Sequence, residues 1–475
     1  MKGIITILFA FLVIGSNAQN KLGPVGQWRA HFDNHSIEHI VKGGDYVYAA
    51  SPYQIISIDS RKNNYWIDKT NGLSDINLNQ LAWDEIQQQL VIVYANSNID
   101  ILKGDQIFNV NALQLTNLYP DKKINTIRIY KQWAILATNF GIVIIDLIKH
   151  EVKDNWFPNN NQQPIATLDV LIANDSVYAT TSNGLWASAF NANTLQPNQW
   201  NRLTGYDRYT LKKLTQYNGN IYGYNNHSFF QLPQTNPFLQ FTNATINHVD
   251  TSATNLYIGI QYPNQKGALL QLNKDKSVSI LIDSSLLGVP KQSVVENNNF
   301  WVADSVKGLL LKNNTVQWMP LGGPNARIQG MEAISENELI APYGALTKGF
   351  AKFNESGWTS YQQLGAVQLP NLNASTINNK ERSYWFTTNS SIFYISNDNK
   401  AENIQPNNLL GAYKQILTDP NNSIWAIQDQ QGLVQQANNR WNSIPLPNSY
   451  QKNGLNQFIV NEKGQAWLIA PNNQG

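Results

Sequence analysis

Three of the six histidines lie close together near the amino terminus, at a spacing that metal sites use. His31, His35 and His39 are four residues apart, so on a helix they would share one face and could bind a zinc ion. The segment from Trp28 to Phe32, however, has the aromatic character of an outer strand, and a strand does not keep that geometry. We therefore predict no metal site here and interpret the histidines as exposed loop residues.

Two acidic segments resemble pieces of calcium-binding loops. They are Asn397-Asp398-Asn399 and Asp419-Pro420-Asn421. Neither has the alternating acidic residues that a calcium loop needs, whereas Asn, Asp and Pro are typical of tight turns. The sequence therefore predicts a hairpin turn at each segment.

Signatures of common enzymes do not occur in the sequence. There is no HExxH, GxSxG or Gly-rich phosphate loop, and the absence of Cys excludes thiol nucleophiles, disulfides and thiolate metal sites. A pair of carboxylates acting on a polysaccharide stays open, because loops can bring distant residues together. The prediction is a protein that is not an enzyme and has no cofactor. No catalytic, cofactor-binding or metal residue is assigned, and the ligand-binding residues are unknown.

The balance of charges disfavours a nucleic-acid partner, and the positions of the tryptophans favour a role in packing. The 34 Lys and Arg residues nearly balance the 32 Asp and Glu residues, giving a net charge of +2, so no strong field attracts nucleic acid. The 14 Trp residues could form stacking platforms for sugars. Packing is the favoured interpretation, because several of them occur inside one repeated strand pattern: Trp133, Trp301, Trp385, Trp425 and Trp467.

The first eighteen residues have the features of a signal peptide. Lys2 precedes an apolar stretch from Ile4 to Ile14, and the small residues Ser16 and Ala18 follow. We expect cleavage between Ala18 and Gln19, without lipidation because no Cys follows. No later run of apolar residues is long enough to cross a bilayer. The sequence thus predicts export to the periplasm or to the outer face of the outer membrane, with no membrane span in this chain.

A strand pattern recurs about every 43 residues, which is the length of one four-stranded propeller blade. Its eleven occurrences, each beginning near a polar turn, start at Asp45, Gln89, Gln132, Asp175, Gly219, Asn255, Asn299, Glu338, Arg382, Asn422 and Gly464. A second apolar strand follows, often after a Gly such as Gly141 or Gly184. A single blade cannot bury both of its faces, so neighbouring blades must stack.

The number of repeats decides the architecture, because propellers hold roughly four to eight blades. We therefore predict an all-β fold of two tandem β-propellers. The first, with about seven blades, is expected over residues 19–323, and an incomplete second one over residues 324–475. An open β-solenoid or an array of β-sandwiches is the alternative. The repeat, however, is too long for one coil of a solenoid, and the sequence lacks the regular breaks that would separate sandwich domains.

Several segments resemble known families. The units Ser383–Tyr394 and Ser423–Val434 are similar to the two-component-regulator propeller repeats of Bacteroidetes. More specifically, Gly26-Gln27-Trp28-Arg29-Ala30-His31-Phe32, Thr70-Asn71-Gly72-Leu73-Ser74-Asp75 and the stretch from Val91 to Leu102 resemble the start of the PorZ family, the propeller component of the type IX secretion machinery.

That resemblance implies a fold and a function. The family has two seven-bladed propellers followed by a β-sandwich export signal, which this chain does not contain. It implies a non-catalytic component of a cell-surface attachment complex with PorU, PorV and PorQ, which handles anionic lipopolysaccharide. The alternative is the periplasmic region of a hybrid two-component regulator, whose propellers bind oligosaccharide.

Overall fold

The structure, a computed structural model, describes most of the chain. It covers residues 31–469 apart from 33, 192–195, 198, 207–208, 253, 297–298, 320, 325, 336–337, 345–346, 355–356, 407–411, 430, 438–439, 447–454 and 462. The predicted signal peptide, the cleavage site and residues 28–30 of the predicted first strand lie outside the described residues. His31 and Phe32, which complete that strand in the prediction, are not in a strand.

Nearly all regular structure is β, arranged in successive sheets, which confirms the predicted all-β fold of tandem β-propellers. Two compact units are distinguished: one is Phe32–Leu321, and the other combines His31 with the residues from Gly322 onward. The boundary that the sequence suggests between residues 323 and 324, and the blade number of the second ring, stay predictions.

Seven sheets follow one another in the first unit. The first three sheets are β1 (His39–Gly43), β2 (Tyr46–Ala50), β3 (Gln54–Ile58), β4 (Asn64–Asp68); β5 (Leu78–Asp84), β6 (Gln89–Tyr94), β7 (Ile99–Lys103), β8 (Gln106–Val110); and, after helix α1 (Ala112–Leu115), β9 (Ile124–Tyr130), β10 (Trp133–Thr138), β11 (Gly141–Asp146), β12 (Glu151–Trp156). The fourth and fifth are β13 (Thr167–Ala173), β14 (Ser176–Thr181), β15 (Gly184–Asn191), β16 (Gln196–Pro197), β17 (Asn201–Leu203); and β18 (Lys213–Tyr217), β19 (Asn220–Tyr224), β20 (Ser228–Gln231), β21 (Leu239–Gln240). The last two are β22 (Thr245–Thr251), β23 (Leu256–Gln261), β24 (Gly267–Leu272), β25 (Val278–Leu287); and β26 (Pro290–Glu296), β27 (Asn299–Asp304), β28 (Gly308–Lys312), β29 (Val316–Trp318).

The second unit continues the same pattern. Its strands are β30 (Glu332–Ser335), β31 (Glu338–Pro342), β32 (Phe350–Asn354), β33 (Gly357–Tyr361); the hairpin β34 (Gln363–Leu364), β35 (Val367–Gln368); β36 (Ser375–Asn378), β37 (Ser383–Thr387), β38 (Ile392–Ile395), β39 (Ala401–Ile404); β40 (Tyr413–Thr418), β41 (Ile424–Gln428), β42 (Gly432–Ala437), β43 (Arg440–Ser443); and β44 (Gln457–Val460), β45 (Ala466–Ile469).

Each sheet is an antiparallel meander in which strands pair in chain order. The only exception among the described sheets is the fourth, in which both β16 and β17 pair with β15. The eleven segments found by the repeat pattern all form the second strand of a sheet, from β2 to β45. Another strand precedes each of them and becomes the first strand of its sheet.

Short turns join the second and third strands, and their residues explain the repeat. Gly141 and Gly184 adopt φ angles of 148° and 123°, which only glycine adopts readily. A threonine three residues earlier closes each turn: Thr138 Oγ1 donates to the Gly141 carbonyl and Thr181 Oγ1 to the Gly184 carbonyl, both at 2.9 Å. The glycines that the sequence singled out are therefore turn residues, as predicted.

The seven sheets of the first unit close into a ring. Their first strands contact one another in cyclic order, and β26 of the seventh sheet contacts β1 of the first. The Gln292 Oε1 atom accepts a hydrogen bond from the Ile40 N–H at 3.2 Å. Ile37, Ile56, Trp301 and other side chains of these two sheets form one buried core. Ring closure thus places a neighbouring sheet on both faces of the first and seventh sheets.

The cores lie between neighbouring sheets, where the predicted packing tryptophans are found. Trp133, Trp301, Trp385 and Trp425 are buried, which confirms the packing interpretation for these four. For Trp467 it is wrong, because 63% of this side chain is exposed. Trp467 lies on the two-stranded sheet β44–β45, on the face opposite to the one that packs against the preceding sheet.

Candidate binding site

The first strands of the seven sheets surround the central channel of the first unit, and a β-bulge recurs near their start. Asn79, Asn125 and Asn247 occupy the bulged position of β5, β9 and β22. Each donates from Nδ2 to a backbone carbonyl of the next sheet: to Ile124 at 2.7 Å, to Thr167 at 2.8 Å and to Pro290 at 3.1 Å. Because bulges free one residue from strand pairing, these asparagines can link adjacent sheets.

An ion pair with a fully buried carboxylate and a partly exposed guanidinium joins three consecutive sheets. The Arg128 guanidinium on β9 contacts both carboxylate oxygens of Asp169 on β13, at 3.2 Å from Nε and 2.6 Å from NH2. Asp169 also accepts from Thr126 Oγ1 at 2.9 Å and from the Leu214 N–H of β18 at 2.7 Å. Although burial opposes the charge, the Asp169 carboxylate raises the pKa of Arg128. The satisfied carboxylate therefore fixes the relative positions of three sheets.

A second polar group lies on the sixth and seventh sheets. Asp250 accepts from the Ser293 N–H at 2.7 Å and from Ser293 Oγ at 3.0 Å. Its Oδ2 atom lies 3.5 Å from Nε2 of His248. Burial lowers the pKa of His248. The imidazole lies against Gly259, where a Cβ atom would be 1.9 Å from His248 Cε1, so only glycine leaves room for it.

One end of the channel carries a basic arc, defined as His39, Lys212, Lys213 and Lys291. Every sheet begins with its innermost strand, so the starts of β1, β18 and β26 lie at the same end. Burial, together with Lys213 and Lys291, lowers the pKa of His39 to about 4. Burial and Lys291 lower the pKa of Lys212. Lys291 is paired with Glu38 at 3.3 Å. The three lysines of the arc are thus a local concentration of positive charge in a nearly neutral chain.

A cavity of about 360 Å³ lies among the first strands of the first four sheets. Its walls are mainly aliphatic side chains of β1, β5, β9 and β13, with Trp83, Arg128 and Tyr130 as the aromatic and charged exceptions. This volume is within the range of small-molecule sites. The positive charge of Arg128 is compensated by Asp169 and lies near Asp250, so the cavity suits a neutral group better than an anion.

The three histidines singled out in the sequence do not form a common site. His31 belongs to the second unit, where its Nδ1 atom accepts from Trp358 Nε1 at 3.0 Å. His35 lies in a loop of the first unit and His39 begins β1. None of the three is fully exposed, so the interpretation as exposed loop residues is wrong. Ring packing and the partner tryptophan cover them.

Both acidic segments are hairpin turns, as predicted. Asp398 lies between β38 and β39, where Lys400 and Ser396 lower its pKa to about 2. Asp419 lies between β40 and β41 and accepts from the N–H groups of Asn421 and Ser423, both at 2.9 Å. It also accepts from Trp425 Nε1 at 2.8 Å. Their carboxylates are therefore used within the turns.

The described residues contain neither a metal-binding cluster nor a membrane-spanning helix. No group of three or more His, Asp or Glu side chains is placed to bind a metal ion within that part of the chain. Within the same residues, no helix is long and apolar enough to cross a membrane.

Sequence analysis missed the polar groups of the channel. Arg128 and Asp169 are 41 residues apart, which is close to one repeat, and both lie on the first strand of a sheet. Charged residues at this spacing, on the strand that precedes the aromatic one, are a signal that could have indicated the pair. The repeat pattern emphasised the second and third strands instead.

Comparison with a family model identifies part of the first unit. Residues 46–201 match the model of the PorZ N-terminal β-propeller domain of the type IX secretion system. This segment runs from β2 to β17, so it includes the cavity walls from β5 to β13 and the Arg128–Asp169 pair. Curated proteins gave no match.

Solved structures share the fold. PorZ of Porphyromonas gingivalis, a surface component of the type IX secretion system, is 18% identical with a TM-score of 0.73, over 94% of this chain and 64% of that protein. An ancestral GH74 enzyme is 11% identical with a TM-score of 0.59, over 86% of this chain and 68% of the enzyme.

A third structure, the extracellular domain of a protein described as a hybrid two-component system of B. thetaiotaomicron, is 14% identical with a TM-score of 0.46, over 92% of this chain and 62% of that one. At these identities the likeness concerns the fold. This chain spans 64% of the PorZ structure. The family model nevertheless confirms the resemblance that the sequence indicated, over the residues 46–201 that it matches.

Proposed function

We propose that this protein is a non-catalytic binding and assembly component of the type IX secretion system. It acts outside the cytoplasm, in an attachment complex at the outer face of the outer membrane. Its partners are outer-membrane secretion proteins similar to PorU, PorV and PorQ. The observation that carries the proposal is the match of residues 46–201 to the PorZ N-terminal β-propeller domain.

The geometry of the first unit supports a binding role. Polar groups of the channel, such as Asp169 and Asp250, are engaged by neighbouring sheets. These contacts hold the ring as one framework and leave the loops between strands to present a surface. A rigid ring of this kind costs little entropy when it binds a partner.

Deletion of the gene in the source bacterium tests the assignment. We expect type IX cargo to remain inside the cell envelope, and a plasmid copy of the full-length gene to restore its release. Normal release of cargo by the deletion strain, with the absence of the protein verified by immunoblot, would contradict the assignment.

Within this function, we propose that the basic arc contributes to recognition of anionic lipopolysaccharide. Lys212, Lys213 and Lys291 lie at one end of the channel, where the lowered pKa of Lys212 reflects burial and repulsion by Lys291. An anionic group placed among them would relieve that repulsion. The contribution of such contacts falls as salt rises.

Charge removal in the arc tests this contact. In Lys212→Ala/Lys213→Ala we expect binding to purified anionic lipopolysaccharide to weaken about tenfold at low salt, since two charged contacts are lost. The control is Lys149→Ala/Lys274→Ala, which removes the same charge from hairpins outside the arc. Equal binding by both double variants, measured by biolayer interferometry, would rule the arc out as the contact.

A further inference from the structure

An aromatic groove lies where the first and second sheets of the first ring meet. We define it by Tyr46 and Tyr48 on β2, Tyr65 on β4 and Trp83 on β5. The exposed fractions of Tyr46 and Tyr65 are 37% and 47%, whereas Tyr48 is buried. Tyr48 contacts Tyr46 on one side and Trp83 on the other, with ring centroids 5.9 Å and 5.8 Å apart. Tyr48 is therefore the floor between two aromatic walls.

The Trp83 indole, one wall of the groove, is fixed by its contacts with β1 and with Glu85. A Cβ atom at Gly43 would lie 2.4 Å from the Trp83 indole, so the absence of a side chain lets the indole lie against the β1 backbone. The Trp83 Nε1–H donates to Glu85 Oε2 at 2.6 Å. The indole also lines the channel cavity. Trp83 thus connects the groove to the cavity in a fixed orientation.

The fold does not require exposed aromatic rings here. The residues that begin the second strand of the other six sheets, as Tyr46 does in the first, are Gln89, Trp133, Ser176, Asn220, Leu256 and Asn299. Only Trp133 is aromatic, and it is buried. Exposed aromatic side chains that packing does not require are a common feature of binding surfaces.

The orientation of the rings decides between two kinds of occupant. A sugar stacks on the flat face of a ring, so a sugar platform presents rings that are nearly coplanar. The two exposed tyrosine rings, Tyr46 and Tyr65, are instead turned by 81° from each other at 6.3 Å. Tyr46 is also turned by 41° from Tyr48, and only the buried Tyr48 ring is nearly parallel to Trp83, at 21°. Rings turned in this way form notches, which fit the side chains of an extended peptide in the polyproline II conformation.

Spacing and charge agree with such a peptide. The ring centroids are separated by 5.8, 5.9 and 6.3 Å, and two residues of a polyproline II helix advance about 6 Å. The exposed carboxylates of Glu85 and Asp59 lie beside Trp83 and Tyr65. They favour a basic residue next to the prolines.

We propose that this groove binds a proline-containing extended segment of a partner protein, with a basic residue directed to Glu85. The inference goes beyond the assembly role proposed above and does not depend on which secretion system the protein serves. It concerns a surface of blades one and two, at the opposite end of the first strands from the basic arc.

Peptide binding to the purified chain tests the groove. The probe is a fluorescein-labelled peptide of about ten prolines preceded by arginine, with a Gly-Ser peptide of the same length as the blank. We expect Tyr46→Ala and Tyr65→Ala each to weaken binding by about tenfold, as for an aromatic anchor. The control Tyr53→Ala removes a tyrosine that is 42% exposed beyond the other end of β2.

Glu85→Gln separates the charge from the aromatic contact. It keeps an acceptor for the Trp83 indole N–H, so we expect weaker binding of the arginine-bearing peptide and unchanged binding of an all-proline peptide. Three outcomes would overturn the proposal: no binding of either proline peptide, equal loss in the Tyr53 control, or tyrosine-dependent binding of cellohexaose in place of the peptides.

Discussion

Two consecutive sheets of the second unit place equivalent tryptophans in opposite environments. Trp425 and Trp467 are one repeat apart, and each is the second residue of its strand, β41 or β45. Trp425 is buried beside Phe458 of the following sheet and Leu455 of the segment before that sheet. Trp467 is 63% exposed, together with Ile459 and Ile469 on the same face.

The difference shows what a propeller repeat specifies. The alternation of residues along a strand determines which side chains lie on each face of a sheet. Whether that face is buried depends on a neighbouring sheet that covers it. In the first ring every sheet has a neighbour on both sides, because β26 contacts β1. The stability of this architecture therefore depends more on the contacts between neighbouring sheets, which we call seams, than on the pairing within each sheet.

The largest expected effect concerns the seams of the first ring. Asp169→Ala removes the carboxylate that holds Arg128, Thr126 and the Leu214 N–H. It leaves a mostly buried guanidinium and the buried Leu214 N–H without their acceptor, so we expect a loss of about 3–5 kcal/mol in the free energy of unfolding. The measurement is differential scanning calorimetry of the purified chain.

Asp398→Ala is the matched control, because it removes an exposed carboxylate that pairs with Lys400 within a hairpin of the second unit. Its transition should stay at the wild-type temperature. A shift as large as that of Asp169→Ala would mean that burial at the seam is not what makes the ion pair important.

The two tryptophans provide the next test. Trp425→Ala should destabilise the second unit by about 3–5 kcal/mol, as for a large buried aromatic side chain. Trp467→Ala should change the stability by less than about 0.5 kcal/mol, as for a surface substitution. Urea unfolding followed by circular dichroism measures both, and equal effects would refute the role of the covering sheet.

The smallest expected effect is on pH dependence. The pKa of His39 is lowered from 6.5 to about 4 in the folded chain, so the unfolded chain binds a proton more readily. Stability from the neutral imidazole is therefore fully present above pH 6.5 and lost as the pH falls toward about 4. In His39→Gln, the midpoint temperature of thermal unfolding should therefore change less with pH between those two values than in the wild type.

That result would be contradicted by parallel pH profiles for the variant and the wild type. His248, whose pKa burial also lowers, contributes a pH dependence in the same direction. The His39→Gln profile should therefore be flatter, without becoming level.

Sequence patterns predict the local part of this structure well. All eleven repeated segments are second strands of sheets, and Asp398 and Asp419 lie in the predicted turns. These features depend on neighbouring residues and on the two-residue period of a strand. The placement of the signal peptide and the limits of both rings remain predictions.

Stacking of the sheets was predicted, but the particular residue pairs that meet between sheets were not, for a physical reason. Arg128 meets Asp169, and Tyr48 meets Trp83, only because the first strands surround a common axis. Neither charge nor aromatic content shows which repeats become neighbours on closure, or which face is left exposed, as at Trp467. The candidate binding surfaces therefore become visible only once the sheets have closed into a ring, whereas the individual blades can be predicted from the sequence.

The most direct test of the assembly role is isolation of the tagged full-length protein from the source bacterium, followed by mass spectrometry of its partners. Outer-membrane preparations should yield proteins similar to PorU, PorV and PorQ, and the untagged strain serves as the control. The account predicts that these proteins are enriched together with the propeller. Recovery of the protein without them, or with a membrane-bound histidine kinase on the same polypeptide, would contradict it.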